Sequence, residues 1–183
     1  MNSIASAEVG RRPVQLRRIR CEGFARDDGL FDIEGTLIDT KPFDVELPEK
    51  HVPAQAAIHH MTLRLTIDRH WTIRDAVART LHGPYGTCGQ ITGRYSQLVG
   101  LRIEAGFTRT VKRMFRGTLG CSHVTELLPS MATTAFQVLW SERDGPASKA
   151  APSDRPNASP LDGCHVPRVD GPVARLHFSH LLK

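Results

Sequence analysis

A cysteine and a histidine stand one residue apart at the predicted start of a helix, where Cys121 and His123 flank Ser122. A thiolate and an imidazole both bind transition metals, and the backbone N–H groups at a helix start favour negative charge. The pair can therefore bind a metal ion or, as a thiolate, attack an electrophile. A small buried thiol beside a satisfied polar neighbour is an equally good interpretation, because free cysteine is among the most buried residue types.

Apolar residues spaced by three and four positions predict the helix that this pair would start. They are Val124, Leu127, Leu128, Met131, Ala135, Val138 and Leu139. Ser122 is a suitable N-cap, and Asp144-Gly145-Pro146 is expected to stop the helix after about Trp140. Glu126 lies three residues beyond His123 on an adjacent helical face, where it can orient the imidazole.

The N-terminal half of the chain has the alternating pattern of strands. Two strands are predicted between residues 18 and 41, joined by a turn at Arg26-Asp27-Asp28-Gly29, because Asp-Gly between such runs is a strong hairpin signal. A proline-rich loop follows to about residue 57, and Asp39 is interpreted as a turn residue. Residues 60–68 alternate as a half-buried strand, on which residues 71–80 can pair back. The first half is therefore predicted to be a small antiparallel sheet.

The second half changes to helical spacing after Cys88, with helices predicted near residues 95–102 and over 107–115. Strands followed by helices predict a single α+β domain over residues 18–140, in which helices cover one face of the antiparallel sheet. Three segments are placed outside this domain. They are a basic arm over residues 1–17, a flexible linker rich in Pro, Ala and Ser over 141–160, and a tail over 161–183 whose residues 173–178 can dock as an edge strand.

Composition limits the location and the partners of the protein. The 183 residues carry a net charge of +5 and 40% hydrophobic residues, which excludes an intrinsically disordered chain. No apolar run approaches the roughly 20 residues of a membrane span, and no secretory signal begins the chain, so we expect a cytoplasmic protein without a membrane partner. The arginines of the basic arm have no interleaved aromatic residues, so we expect no nucleic-acid partner.

Several short phrases of the chain resemble those of an uncharacterised bacterial family, known only as a domain of unknown function. Among them are Gly120-Cys121-Ser122-His123 and Met131-Ala132-Thr133-Thr134-Ala135-Phe136-Gln137. The resemblance covers about residues 18–140. It implies no established reaction, although such proteins often accompany catabolic genes for aromatic, steroid or acyl-CoA compounds.

The order of candidate ligands is similar to that in the IscU, SufU and NifU N-terminal scaffolds. His59 precedes a strand, Cys88 precedes the first helix and Cys121 precedes the long helix. In those scaffolds three cysteines at corresponding places bind zinc or nucleate an iron–sulfur cluster, so the resemblance implies a similar core with a site made of these three residues. Exchange of one cysteine for histidine favours zinc or iron with an open coordination position.

We therefore expect a metal-dependent enzyme that uses one zinc or iron ion as a Lewis acid on a small organic substrate. The expected ligands are His59, Cys88, Cys121 and His123. His123 is either the fourth ligand or a general acid/base, supported by Glu126. Lyase, decarboxylase, isomerase and hydrolase reactions all fit this chemistry.

Two arginines are candidates for the substrate. Arg64 and Arg102 can bind a carboxylate or phosphate bidentately. The alternative function is a non-enzymatic scaffold for an iron–sulfur cluster or for sulfur transfer. Because scaffolds of this size often self-associate, a homo-oligomer is also expected.

Overall fold

A four-stranded antiparallel sheet forms from the segments with alternating apolar residues. The computed structural model describes residues 9–144 and 161–182. Its strands are β1 (Leu16–Ala25), β2 (Phe31–Thr40), β3 (Val45–Leu47), β4 (Lys50–Val52), β5 (Ala57–Ile67) and β6 (Ile73–His82). The order across the sheet is β1-β2-β5-β6, whereas β3 and β4 form a separate two-stranded sheet in the segment predicted to be only a loop.

The predicted hairpin between β1 and β2 is confirmed. The amide of Gly29 donates to the carbonyl of Arg26 at 3.1 Å, and Gly29 adopts a φ of 82°. Few residues other than glycine accept that backbone conformation without strain, which explains the Asp-Gly signal.

One face of the sheet packs against the long helix α2 (Ser122–Asp144) and forms the core with it. Alternate residues of β2 and β5 are buried there, and they are Phe31, Ile33, Leu37, Met61, Leu63, Leu65 and Ile67. The helix contributes the apolar residues spaced by three and four positions, among them Leu127, Leu128 and Met131, each fully buried. The predicted α+β class is thus confirmed, and α2 extends a turn beyond the expected end at Trp140.

The remaining helices agree in part with the sequence-based prediction. A 3₁₀ helix spans Gly86–Leu98, and α1 (Phe107–Met114) occupies the segment predicted as helical. The strand predicted over residues 173–178 is wrong, because Pro172 starts a short helix, α3 (Pro172–His177). Proline at the first helical position has its φ already set for the helix and loses no hydrogen bond there.

The chain divides into two compact units, Met1–Lys149 and Ala150–Lys183. Most of the predicted linker, residues 145–160, lies outside the described residues, as do residues 1–8 of the basic arm. Residues 16 and 17 of that arm belong to β1. No helix in the described part of the chain is both long enough and apolar enough to cross a membrane.

The close approach of α2 to the sheet depends on Gly35. A Cβ at this position would lie 2.6 Å from Sδ of Met131, so we expect Gly35→Ala to lower the free energy of unfolding by about 1–3 kcal/mol through overpacking. Urea unfolding measures this, with Gly93→Ala as the control because no atom lies within 4 Å of the added Cβ there. Equal effects of the two substitutions would contradict the packing described.

Candidate metal centre

The strand register places three polar side chains side by side at one end of the sheet. Asp39 of β2 pairs with Arg17 of β1 on one side and with His59 of β5 on the other. Directly opposed residues project to the same face. Asp39 is in phase with the buried residues of β2, so these three side chains lie at the end of the apolar stripe that faces α2.

A bulge in β5 lies beside the site. Asp39 pairs with His59 and Thr40 pairs with Ala57, which leaves Ile58 as the extra residue in this strand. Such bulges bend a strand locally and redirect the neighbouring side chain. His59 is the next residue along, at the point where the strand faces the start of α2.

Asp39, His59 and His123 form a compact group in which one ligand atom from each residue lies within 4.8 Å of the others. Oδ2 of Asp39 is 3.1 Å from Nδ1 of His59 and 3.5 Å from Nε2 of His123. The two imidazole rings stack with their centroids 3.7 Å apart and their planes inclined by 24°. One carboxylate oxygen therefore faces two ring nitrogens.

Arg17 holds the carboxylate of Asp39 with two hydrogen bonds. Nε donates to Oδ1 and Nη2 donates to Oδ2, each at 2.8 Å, while Nη1 donates to Glu126 of α2. Asp39 is only 2% exposed. This burial opposes its ionisation, but the hydrogen bonds and the charge of Arg17 outweigh it and lower the pKa of Asp39.

Both histidines favour the neutral state. Burial lowers the pKa of His59, with partial opposition from the Asp39 charge, and burial together with the neighbouring His59 lowers the pKa of His123. Nδ1 of His59 is buried, and its polar neighbour is Oδ2 of Asp39 at 3.1 Å. In a neutral imidazole, a ring nitrogen without a proton offers a lone pair that can bind a cation.

Tyr95 fixes the start of α2. Its hydroxyl accepts a hydrogen bond from the amide of Cys121 at 2.9 Å and lies 2.8 Å from the carbonyl of the same residue and 2.7 Å from the hydroxyl of Thr125. The ring is fully buried and stacks on Phe115. Because these contacts position the first turn of α2, they also position His123.

The predicted ligands are only partly brought together. The group contains His59 and His123 but neither Cys88 nor Cys121 among the described residues. Sγ of Cys121 lies 3.9 Å from Nδ1 of His123, which is the ring nitrogen that does not face Asp39. Cys88 packs against Gly83 after the end of β6.

Three further candidates have other partners. Glu126 binds Arg17 and makes no hydrogen bond to His123 among the described residues. Arg64 is out of phase with His59 on β5, so it projects from the opposite face of the sheet, where it pairs with Asp75 at 2.7 Å. Arg102 forms a bridge with Thr72 at the other end of the sheet. Neither arginine joins the group.

Sequence reasoning missed one residue of the group, Asp39, and the arginine that holds it, Arg17. The interpretation of Asp39 as a turn residue is wrong, because it lies within β2 and is buried. Its position in the alternation Phe31, Ile33, Gly35 and Leu37 was the available signal, since that alternation predicts the core face. Arg17 was assigned to the basic arm outside the domain, and its register with Asp39 has no local sequence signature.

The comparisons with known proteins identify the class of the chain. A model of the family described as "protein of unknown function (DUF2889)" matches residues 15–137, and the chain belongs to this family. No curated protein and no solved structure matches the chain. The matched segment includes Arg17, Asp39, His59 and His123.

The lowered pKa values predict how stability depends on pH in the metal-free protein. Below about pH 6.5 the histidines of the unfolded chain become protonated, whereas His59 and His123 of the folded chain stay neutral to lower pH. The free energy of unfolding should therefore fall as the pH drops. His123→Gln should make this decline shallower, whereas His70→Gln, in an exposed turn, should retain the wild-type slope. Urea unfolding with a chelator at several pH values between about 5 and 7 measures this free energy. If it falls equally steeply with pH in the wild type and in His123→Gln, the lowered pKa of His123 is contradicted.

Proposed function

We propose that Asp39, His59 and His123 hold one divalent zinc or iron ion and that the protein is a metal-dependent enzyme acting on a small organic substrate. The spacing of the ligand atoms carries this proposal. Zinc bonds to nitrogen and oxygen of about 2.0–2.1 Å require ligand atoms about 3.3–3.4 Å apart in a tetrahedral site. Oδ2 of Asp39 lies 3.1 Å and 3.5 Å from the two imidazole nitrogens, close to that value.

The chemistry of the donor atoms supports the same proposal. To bind a metal, a carboxylate must be ionised and an imidazole must be neutral. The shifted pKa values of Asp39, His59 and His123 favour these states. The buried Nδ1 of His59 faces the carboxylate of Asp39 at 3.1 Å, and a metal between them would bond both. Two histidines and one carboxylate leave coordination positions open, an arrangement suited to catalytic zinc and to iron(II).

A metal bound here would supply Lewis-acid chemistry, polarising a carbonyl group or activating water. The surrounding side chains would orient the ligands and move protons. Arg17 keeps Asp39 ionised and fixes the direction of its carboxylate. Glu126 is 49% exposed beside the group, so we assign proton transfer to its carboxylate rather than to His123, whose Nε2 would be occupied. Lyase, decarboxylase, isomerase and hydrolase reactions all remain within this proposal.

The alternative of an IscU-like cluster or sulfur-transfer scaffold needs thiolate ligands. The compact group supplies two imidazoles and a carboxylate, and Cys88 lies against Gly83. We therefore favour a single metal ion over an iron–sulfur cluster.

Metal titration tests the ligand assignment. Metal-stripped wild type should bind about one Zn²⁺ per chain, as measured by calorimetry and elemental analysis. Asp39→Asn and His59→Ala each remove a direct ligand. Loss of a residue that only supports a ligand weakens metal binding about 10–100-fold, so these two substitutions should weaken it at least as much. His60→Ala is the matched control, because this neighbour stacks on His82 and projects from the opposite face.

The cysteine variants separate the two ligand sets. Cys88→Ala and Cys121→Ala should retain the bound zinc if the Asp39 group is the site. Retention by Asp39→Asn with loss in both cysteine variants would instead favour a Cys₂His site. A wild-type protein that binds no metal would overturn both.

A second candidate function follows from the position of Cys121. Its Sγ lies 3.9 Å from Nδ1 of His123, whose Nε2 lies 3.5 Å from Oδ2 of Asp39. This order of thiol, imidazole and carboxylate resembles that of enzymes with a cysteine nucleophile, in which the imidazole accepts the thiol proton. It would operate without a metal, because the carboxylate would then orient Nε2 of His123.

Alkylation tests this second candidate. In the metal-free protein at neutral pH, iodoacetamide should modify Cys121 at least about tenfold faster than it modifies the exposed Cys164, because the neutral imidazole of His123 accepts the thiol proton as the sulfur attacks. His123→Gln should remove the difference while leaving Cys164 unchanged. Mass spectrometry of tryptic peptides measures both rates, and slower modification of Cys121 than of Cys164 in wild type would exclude an activated thiol.

A further inference from the structure

We infer that the metal centre binds a substrate oxyanion, a carboxylate or phosphate group, between the metal and Arg17. This inference rests on the proposed function and adds the class of its substrate. It concerns Arg17, which the sequence places in a basic arm outside the domain and the structure places against Asp39.

The first observation is that one carboxylate oxygen would serve two cations. Oδ2 of Asp39 accepts a hydrogen bond from Nη2 of Arg17 at 2.8 Å and is also the oxygen that faces both imidazoles. A metal bonded to Oδ2 at about 2.0–2.1 Å would therefore lie within about 5 Å of Nη2. A divalent ion and a guanidinium this close outweigh the single negative charge of Asp39, so a further anion is favoured nearby.

The second observation is the charge of the site. Asp39 and Glu126 each contribute one negative charge and Arg17 contributes one positive charge, while an imidazole that binds a metal is neutral. A divalent metal would leave the group with one excess positive charge. A monoanionic ligand would neutralise it.

The third observation is the position of Arg17 at the solvent side of the group. Its side chain is 37% exposed, compared with 3% for that of Asp39. A guanidinium carries five N–H donors, and three of them are used in bonds to Asp39 and Glu126. Its remaining donors and its planar shape suit a carboxylate or phosphate.

Glu126 already occupies part of this anion site. Its carboxylate accepts from Nη1 of Arg17, and it is a half-exposed residue near the start of α2. A substrate oxyanion would compete with Glu126 for Arg17. Its binding would release the Glu126 carboxylate close to the metal, where the proposed proton transfer requires it.

Anion titration of the cobalt(II)-loaded protein tests the inference, because the visible absorption of cobalt reports changes in its coordination. Acetate and methyl phosphate are the two probes, and they distinguish a carboxylate from a phosphate ligand. Wild type should show a saturable spectral change with at least one of them. Arg17→Gln should weaken that binding at least about tenfold, because a bidentate charged contact is lost.

Three variants control the experiment. Arg18→Gln is the matched control, since this neighbour in β1 projects to the opposite face, and it should titrate like wild type. Glu126→Gln should tighten binding several-fold by removing the competing carboxylate. If Arg17→Gln does not load with cobalt, Arg17→Lys takes its place. Lysine retains the positive charge but lacks the planar guanidinium with its paired N–H donors.

The possible outcomes separate this inference from the proposed function. Equal titrations of Arg17→Gln and Arg18→Gln, or no anion effect in cobalt-loaded wild type, would overturn the oxyanion site and leave the metal centre intact. A wild-type protein that takes up no cobalt would overturn the metal centre and this inference with it.

Discussion

The ionised carboxylate of Asp39 is the constraint on which this end of the molecule depends. A charge that is 2% exposed is costly unless it is paired and hydrogen-bonded. Arg17 meets both requirements with two hydrogen bonds from the edge strand β1. Removal of Arg17 would leave the buried Asp39 without a counter-charge, so the pair fixes the register of β1 on β2 where the apolar stripe ends.

The same guanidinium connects the sheet to the long helix. Arg17 also binds Glu126, while the buried hydroxyl of Tyr95 binds the backbone at Cys121. These contacts fix the start of α2 from two sides. His123 can therefore approach His59 with a ring separation of 3.7 Å, which two freely moving side chains would not maintain.

Patterns that depend on neighbouring residues made most of the fold predictable. The alternation in β2 and β5, the Asp-Gly turn and the apolar spacing of α2 each depend on residues that are close together in the sequence. The helix at residues 172–177 was mistaken for a strand because six residues are too few to distinguish the two periods. Asp39 was missed because aspartate favours turns and because its partners, residues 17, 59 and 123, are joined only by strand register and by the docking of α2.

The charges of the assembled group argue for a cation more strongly than the identity of any one ligand does. With neutral histidines, the two carboxylates of Asp39 and Glu126 outnumber the single guanidinium of Arg17, and the buried Nδ1 of His59 has Oδ2 of Asp39 as its polar neighbour. Protonation of a histidine would correct the charge, but burial and the adjacent ring oppose it. The divalent metal ion that we propose would correct both deficiencies at once, because it would bond the nitrogen and balance the carboxylates. The position of Arg17 would then direct the remaining positive charge toward solvent and an incoming anion.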